Sequence, residues 1–377
     1  LARRGSRRAL NVGLICNAAS VTGELVHASL ALSAARGLRL KALFGPEHGL
    51  WGDAQDLVEV GDARDPATGL PVRSLYGPNR APTPEMLEGL DALIFDLQDV
   101  GSRYYTFIYT MLLALEACAQ LGRRLLVLDR PNPLGGVALD GNLLDPAFRS
   151  FVGLHPLPVR HGMTVGELAL LFRAELGLRA ELSVVRMQGW RRAMQFEATG
   201  LPWVQPSPNM PTPDTAFVYP GGCLVEGTNL SEGRGTTRPF ELIGAPWLDP
   251  WALARDLARE RIPGAVFRPT VFTPTFHKHT GRACGGVHVH VTDRKRFPAF
   301  LAYLLLIAHA RRQDPARFAW RDPPYEYEQV KRPFDILCGT DQVRRAIEGG
   351  VSPRRLEPAW RKARAGFLRR RRRHLLY

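Results

Sequence analysis

The chain has 377 residues, 45% of them hydrophobic and 23% charged, enough apolar material for a sizeable core and more length than one core usually spans. Its formal charge of +14 is concentrated at the ends: residues 1–10 hold four Arg and no acid, and residues 354–373 hold ten Lys or Arg against the single Glu357. The rest is balanced, 36 basic against 35 acidic residues. That excludes the basic groove expected of a nucleic-acid binder and makes the two ends solvated tails, dispensable to the body of the protein. Five scattered Cys form no CxxC pair, so buried free thiols are expected rather than a disulfide framework or a zinc site. The longest apolar run, residues 300–308, is about half of what a membrane span requires.

Strand and helix signals alternate through the first half. Residues 10–15 read as a buried strand, followed by a helix over 23–35. Residues 40–44 are the second strand and 92–95 the third. Leu and Ala recur at helical spacing over 106–120, and 125–128 make the fourth strand. Thr164 with Glu167 three residues later is a capping-box signal for another helix, and 182–185 give a further strand. This order predicts a Rossmann-like α/β domain on a parallel sheet. Residues 202–246 are rich in Pro, Gly, Thr and Asn and read as a long functional loop. A second, smaller α/β series follows, with a helix over 250–259, strands over 266–272 and 286–291, and a helix over 297–311. Two helices, 341–348 and 353–364, close it. The expected domains are 1–246, carrying the catalytic sheet, and 247–377, completing the cleft and ending in the basic tail.

Polar residues gather where the strands end. Asn17 follows the first strand, GPEHG (45–49) the second, DLQDVGSRYY (96–105) the third and DRPNP (129–133) the fourth. Open α/β sheets bind ligands outside the carboxyl ends of their strands, so four such ends predict one pocket. The first strand leads into NAASVTG rather than a dinucleotide fingerprint, and no P-loop occurs, so no nucleotide cofactor is expected. Glu47, framed by Pro46 and His48, suits a general acid held in a tight turn, or a carboxylate that caps the turn or pairs with His48. Asp96 and Asp99 could act as base or nucleophile, or fix Arg103 in a bidentate pair. Tyr104 and Tyr105 could stack on a sugar or pack in the core. His288 and His290 share one face of a strand. With His277 and His279 they tempt a metal reading, but no carboxylate joins them before Asp293, and no metal is expected.

Together these segments resemble the exo-β-N-acetylmuramidase family. The stretches that carry the likeness are LFGPEHGLWGD (43–53), SLYG (74–77), FDLQDVGSRYYTFIYTM (95–111) and VLDRPNPLGG (127–136). PVRHGMTVGELA (158–169), PSPNMPT (206–212), LVEGTNLSEGRGTTRPFELIGAPW (224–247) and CGGVHVHVTD (284–293) continue it, across all but the basic ends. The resemblance implies an exo-acting glycoside hydrolase that releases N-acetylmuramic acid from the non-reducing end of peptidoglycan fragments, with Glu47 as its catalytic acid. Asp96, Asp99, Glu226 and Glu232 compete for the second carboxylate role, which the substrate's own 2-acetamido group could replace. The lactyl carboxylate of such a substrate calls for Arg103, Arg160 or Arg234. Its hydroxyls and acetamide call for Asn17, His48, Gln98, Tyr104, Asn209 and Asn229, with Glu226 also among the binding groups. The loops over 206–238 are expected to wall off the blind end of the pocket. The other reading is a non-catalytic muropeptide-binding protein. The expected partner is a peptidoglycan-derived oligosaccharide or muropeptide, without cofactor, nucleic acid or membrane span. Residues 1–10 show no apolar signal core, and compartment and oligomeric state stay open.

Overall fold

The computed structural model describes residues 8–55, 58–59 and 61–377. In chain order the first half contains β1 (Leu10–Cys16), α1 (Ala28–Ser33), β2 (Leu38–Gly45), β3 (Ala63–Arg64), β4 (Pro71–Ser74) and β5 (Ala92–Asp96). It continues with α2 (Phe107–Gln120), β6 (Arg124–Leu128), β7 (Asp140–Leu143), β8 (Pro158–Arg160), α3 (Val165–Glu175) and β9 (Glu181–Val185). The second half adds α4 (Pro213–Gly222), β10 (Leu242–Ala245), α5 (Pro250–Arg259), β11 (Ala265–Phe272) and β12 (Cys284–Val291). Then come α6 (Ala299–Gln313), α7 (Pro333–Cys338), α8 (Gln342–Glu348) and α9 (Glu357–Arg371).

Seven strands form one sheet in the order β3-β4-β2-β1-β5-β6-β9, parallel except where β3 meets β4. The chain steps outward from β1 to β2 and β4, then returns to the other side of β1 with β5. The order therefore reverses beside β1, where open sheets present a crevice. Side chains alternate between two cores. Val12, Leu14, Ile94 and Leu126 enter a smaller one with Ala28 of α1, whereas Ile15, Phe95 and Val127 enter the main one. Strands covered on both faces carry no polar alternation, which is why they read as continuous apolar runs.

The helices deviate from expectation at identifiable places. α1 begins at Ala28 rather than 23, because Thr22 N–H closes a turn on Val26 O (2.9 Å) and His27 caps the helix at Ser29 N–H. Thr164 and Glu167 do form the reciprocal capping box of α3. Residues 202–246 are not loop throughout: α4 lies inside them, hidden in the sequence by Pro220, Gly221 and Gly222, all poor helix formers. Gly221 is needed there, since a β-carbon would stand 2.2 Å from Ala299 O of α6.

In the second half β10, β12 and β11 form an antiparallel sheet backed by α5. The expected boundary at 246 falls between β10 and its partner β12, and α4 packs on α6. Hydrogen bonding and packing thus place α4 and β10 with the second half. The main core is continuous across both halves, running from Phe95 and Val127 to Val287, Leu304 and Phe334.

The basic C-terminal stretch is not a solvated tail, and that expectation is corrected. α9 runs on to Arg371, which is buried and donates to the carbonyls of Val137, His161 and Gly162. Arg370 pairs with Glu175, and the Tyr377 hydroxyl donates to Asp129 at 2.9 Å. These groups are consumed in fastening the chain's end to the first half. Residues 1–7 of the basic N-terminal stretch lie outside the described residues. All five Cys are buried and free, and no helix among the described residues is long and apolar enough to cross a membrane.

Candidate active site

β2 ends at Gly45, and the next four residues reverse sharply. Gly49 N–H bonds Pro46 O at 3.0 Å, with His48 and Gly49 at φ 69° and 78°. The left-handed backbone at His48 costs about 1–2 kcal/mol, and the residue is held there by an Nδ1–H bond to Ala54 O at 2.8 Å. The turn carries the Glu47 side chain into a buried cavity, where Thr106 Oγ1 donates to Glu47 Oε2 at 2.5 Å. Among the described residues no cation pairs with Glu47, so its hydrogen-bond partner is a neutral hydroxyl.

The cavity lies between the halves. Glu47, His48, Tyr104, Tyr105 and Thr106 line it from the sheet side. Ser207, Asn209, Tyr219, Cys223, Glu226 and Arg234 come from the segment expected to wall the pocket, and Tyr325 and Glu326 from the second half. Burial pushes the phenols of Tyr105, Tyr219 and Tyr325 well up, so they stay neutral. Burial and the charge of Glu226 do the same to Cys223, which removes a thiolate nucleophile from consideration. Glu226 is fixed by Arg234 Nη2 at 2.8 Å and by the Tyr325 hydroxyl. Beneath it Glu232 meets Lys278 at 2.8 Å, His277 at 3.1 Å and Arg234 at 3.3 Å. Burial alone would raise the Glu232 carboxyl, but Lys278, His277 and Arg234 outweigh it and hold the group well below the usual carboxylate range.

Of the residues singled out in the sequence, the cavity collects Glu47, His48, Tyr104, Tyr105, Asn209, Glu226 and Arg234. Tyr104 is wall rather than platform: its hydroxyl donates to Pro220 O and its ring meets Tyr219 edge-on at 5.8 Å. The others lie elsewhere, each with a structural task. Asp96 is held by Arg130 through two bonds of 2.6 and 3.0 Å. Asp99 accepts from Gly101 N–H at 2.7 Å, closing the turn that leads to Arg103. Gln98 donates to the carbonyls of Asp99 and Pro131, and Asn17 to Pro206 O. Arg103 is fully buried and gives its two terminal nitrogens to the carbonyls of Asn142, Leu157, Leu337 and Cys338. It therefore ties the halves together and cannot reach a lactyl group. Arg160 donates to Leu134 O and lies over Phe217 at 5.1 Å. Asn229 is spent on the backbone of Arg317 and Ala319. Four polar strand ends thus make two clusters, not one pocket.

Sequence reasoning missed Thr106, Tyr76 and Glu326. Thr106 was read as a helix start. Glu326 lies far from the sheet in sequence, and the sole signal was a carboxylate between two aromatics in YEYE (325–328). Tyr76 donates to Glu326 Oε2 at 3.2 Å. Burial first, then the charges of Glu47 and Glu326, pushes the Tyr76 phenol far up; burial, Glu326 and Glu47 push that of Tyr327 to about 12. The two carboxylates therefore share one electrostatic neighbourhood. Among the described residues no three His, Cys, Asp or Glu side chains are placed to hold a metal ion. The rings of His288 and His290 meet at 3.9 Å, tilted by 45°, beside Arg268.

A parallel sheet with a cavity beyond its strand ends, holding several carboxyl groups and one against a neutral donor, defines an α/β enzyme of the glycoside-hydrolase kind. Family models described as exo-β-N-acetylmuramidase NamZ, N-terminal and C-terminal, match residues 12–214 and 217–377, and the chain belongs to this family. The peptidoglycan β-N-acetylmuramidase NamZ of Bacillus subtilis (strain 168) is 47% identical over 366 residues, covering 97% of this chain and 86% of that protein. A crystal structure of a DUF1343 family protein from Bacteroides fragilis superposes with a TM-score of 0.89 at 35% identity, covering 98% of this chain and 94% of the other. A second one from the same organism gives 0.77 at 30%, with the same coverage.

Proposed function

We propose that the protein is an exo-acting glycoside hydrolase that releases N-acetylmuramic acid from the non-reducing end of peptidoglycan fragments, with Glu47 as general acid. The observation that carries this is the Glu47–Thr106 pair: a carboxyl group in a buried cavity, oriented by a hydroxyl, with no cation paired to it among the described residues. Glu47 delivers its proton to the glycosidic oxygen as the bond to the anomeric carbon breaks, and water completes the hydrolysis. Of the three arginines considered for the lactyl carboxylate, Arg234 is the one that lines the cavity. His48 and Asn209 are the polar groups there that suit the acetamide and hydroxyls.

The second carboxylate role passes from Asp96 and Asp99 to Glu326. Asp96 is neutralised by Arg130, Asp99 closes a backbone turn, and Glu226 is held by Arg234 and Tyr325. The substrate's 2-acetamido group is the rival for this role. The cavity measures about 40 Å³, against roughly 300–1,000 Å³ for small-molecule sites. The reading therefore requires the cavity to open before a sugar ring can enter.

The test is product release. Incubated with a disaccharide ending in N-acetylmuramic acid and with one ending in N-acetylglucosamine, the protein is expected to liberate the terminal sugar from the first alone. Tight binding of the first disaccharide with no cleavage would instead establish the binding-protein reading.

A further inference from the structure

Beside the Glu47 cavity lies an open groove of about 580 Å³ that no motif in the sequence announced. Glu326 lines both spaces, so the groove and the cavity adjoin at this residue. The groove is of ligand size, whereas the cavity is closed down. Its wall stacks aromatic and cationic groups. The guanidinium of Arg80 lies 4.6 Å from the ring centre of Tyr327 and 5.8 Å from that of Phe151, and those two rings meet edge-on at 5.6 Å. Arg149 is a second exposed cation on the groove. Of its two acids, Glu328 is already paired with Lys331 at 3.2 Å, and Glu326 sits at the inner end. The outer groove is therefore cationic with apolar faces. Tyr327 and Glu326 both have positive φ, 63° and 46°, a costly conformation for such residues that is found at ligand-contacting segments.

An exo-hydrolase has two unlike neighbours at the broken bond: a blind pocket for the terminal sugar and an open side for the departing chain. We propose that this groove is the leaving-chain site, with Glu326 marking the place where the scissile bond crosses from cavity to groove. The ligand is an oligosaccharide whose leaving chain begins with an N-acetylhexosamine that lies along the groove beside Tyr327. Arg80 and Arg149 then read an acidic group one sugar further out, the lactyl or stem-peptide carboxylate of the next muramic residue. This rests on the hydrolase reading above but adds a substrate preference: chains long enough to place that carboxylate are favoured over the disaccharide.

The experiment compares kcat/KM on a disaccharide and on a tetrasaccharide, both beginning with N-acetylmuramic acid, for the wild type, Arg80→Ala and Arg149→Ala. Both arginines are exposed, so folding is not at stake, and thermal unfolding of each variant verifies this. The wild type is expected to favour the tetrasaccharide by about tenfold, the worth of one charge-assisted hydrogen bond. Each variant should bring that ratio towards one, through KM rather than kcat. A ratio near one in the wild type, or an unchanged ratio in both variants, overturns the groove assignment while leaving the hydrolase reading intact. Failure to cleave either substrate overturns both.

Discussion

Glu47 and Asp96 leave the same sheet on strands that flank β1, yet the chain treats their carboxylates in opposite ways. Glu47 is turned away from the sheet by a strained reversal and meets a hydroxyl from the start of α2. Asp96 stays in line with its strand and meets a guanidinium, Arg130, that also ties Val21 O to the site. The first arrangement holds a carboxyl against a neutral donor inside the cavity; the second locks charge against charge. A polar strand end is thus no sign of chemistry by itself. What matters is which donor the rest of the fold brings to it, and for Glu47 that is the Thr106 hydroxyl at the start of α2.

If that contrast is right, changes on the structural side should alter stability and leave turnover of the folded protein nearly intact. The largest effect belongs to Arg103→Met. It strands four carbonyls in a fully buried place, each costing about 1–3 kcal/mol when unpaired, so a loss of about 4 kcal/mol or more is expected in urea unfolding. An unfolding midpoint matching the wild type, with loss of affinity for muramic substrates, would return Arg103 to the binding site. Asp96→Asn should cost about 3 kcal/mol, because it leaves the largely buried Arg130 without its counter-charge, while kcat stays within a few fold. A hundredfold drop in kcat at unchanged stability would erase the distinction between the two clusters.

The smallest effect is a pH dependence beside Asp96. Burial pushes the Asp129 carboxyl up to about 6, against the opposing hydrogen bonds from Gly166 N–H, Thr164 and Tyr377. Its folded value lies above the unfolded one, near 3.9, so folding favours the protonated form. That stabilisation is complete below about pH 4 and is lost as pH rises through about 6. Asp129→Asn, neutral throughout, should therefore gain on the wild type between pH 5 and pH 8, by about 1.4 kcal/mol. Parallel stability curves for the two proteins would show that this carboxyl is not held up by burial.

The parallel strands were legible because burial on both faces leaves unbroken apolar runs, as in residues 92–95 and 125–128. The Thr164 capping box was legible because it is local. α4 was not, since Pro220 and the paired glycines are selected by close packing on α6, a contact the sequence does not display. Arg371 looked like part of a charge run because a basic residue that serves backbone carbonyls carries no acidic partner in sequence to betray it. At the site, Glu47 was legible from its own turn. Arg103 misled for a related reason: its neighbours in sequence are two aspartates, yet its partners are four carbonyls, the most distant of them more than two hundred residues away. Glu326 was missed because its one local signal, a carboxylate between two tyrosines, does not say that a remote loop delivers it to a cavity.

The central claim is that Glu47 supplies the proton, and Glu47→Gln measured on two substrates tests it most directly. The substitution keeps size and hydrogen bonding to Thr106 but removes the acidic proton. On a natural muropeptide disaccharide, release of N-acetylmuramic acid should fall by about 10²–10⁴-fold with the unfolding midpoint preserved. On an aryl glycoside of N-acetylmuramic acid, whose leaving group departs without protonation, the fall should be far smaller. Near-normal turnover of the natural disaccharide by the variant, or equal losses on both substrates with a lowered unfolding midpoint, would contradict the account and return Glu47 to a purely structural role.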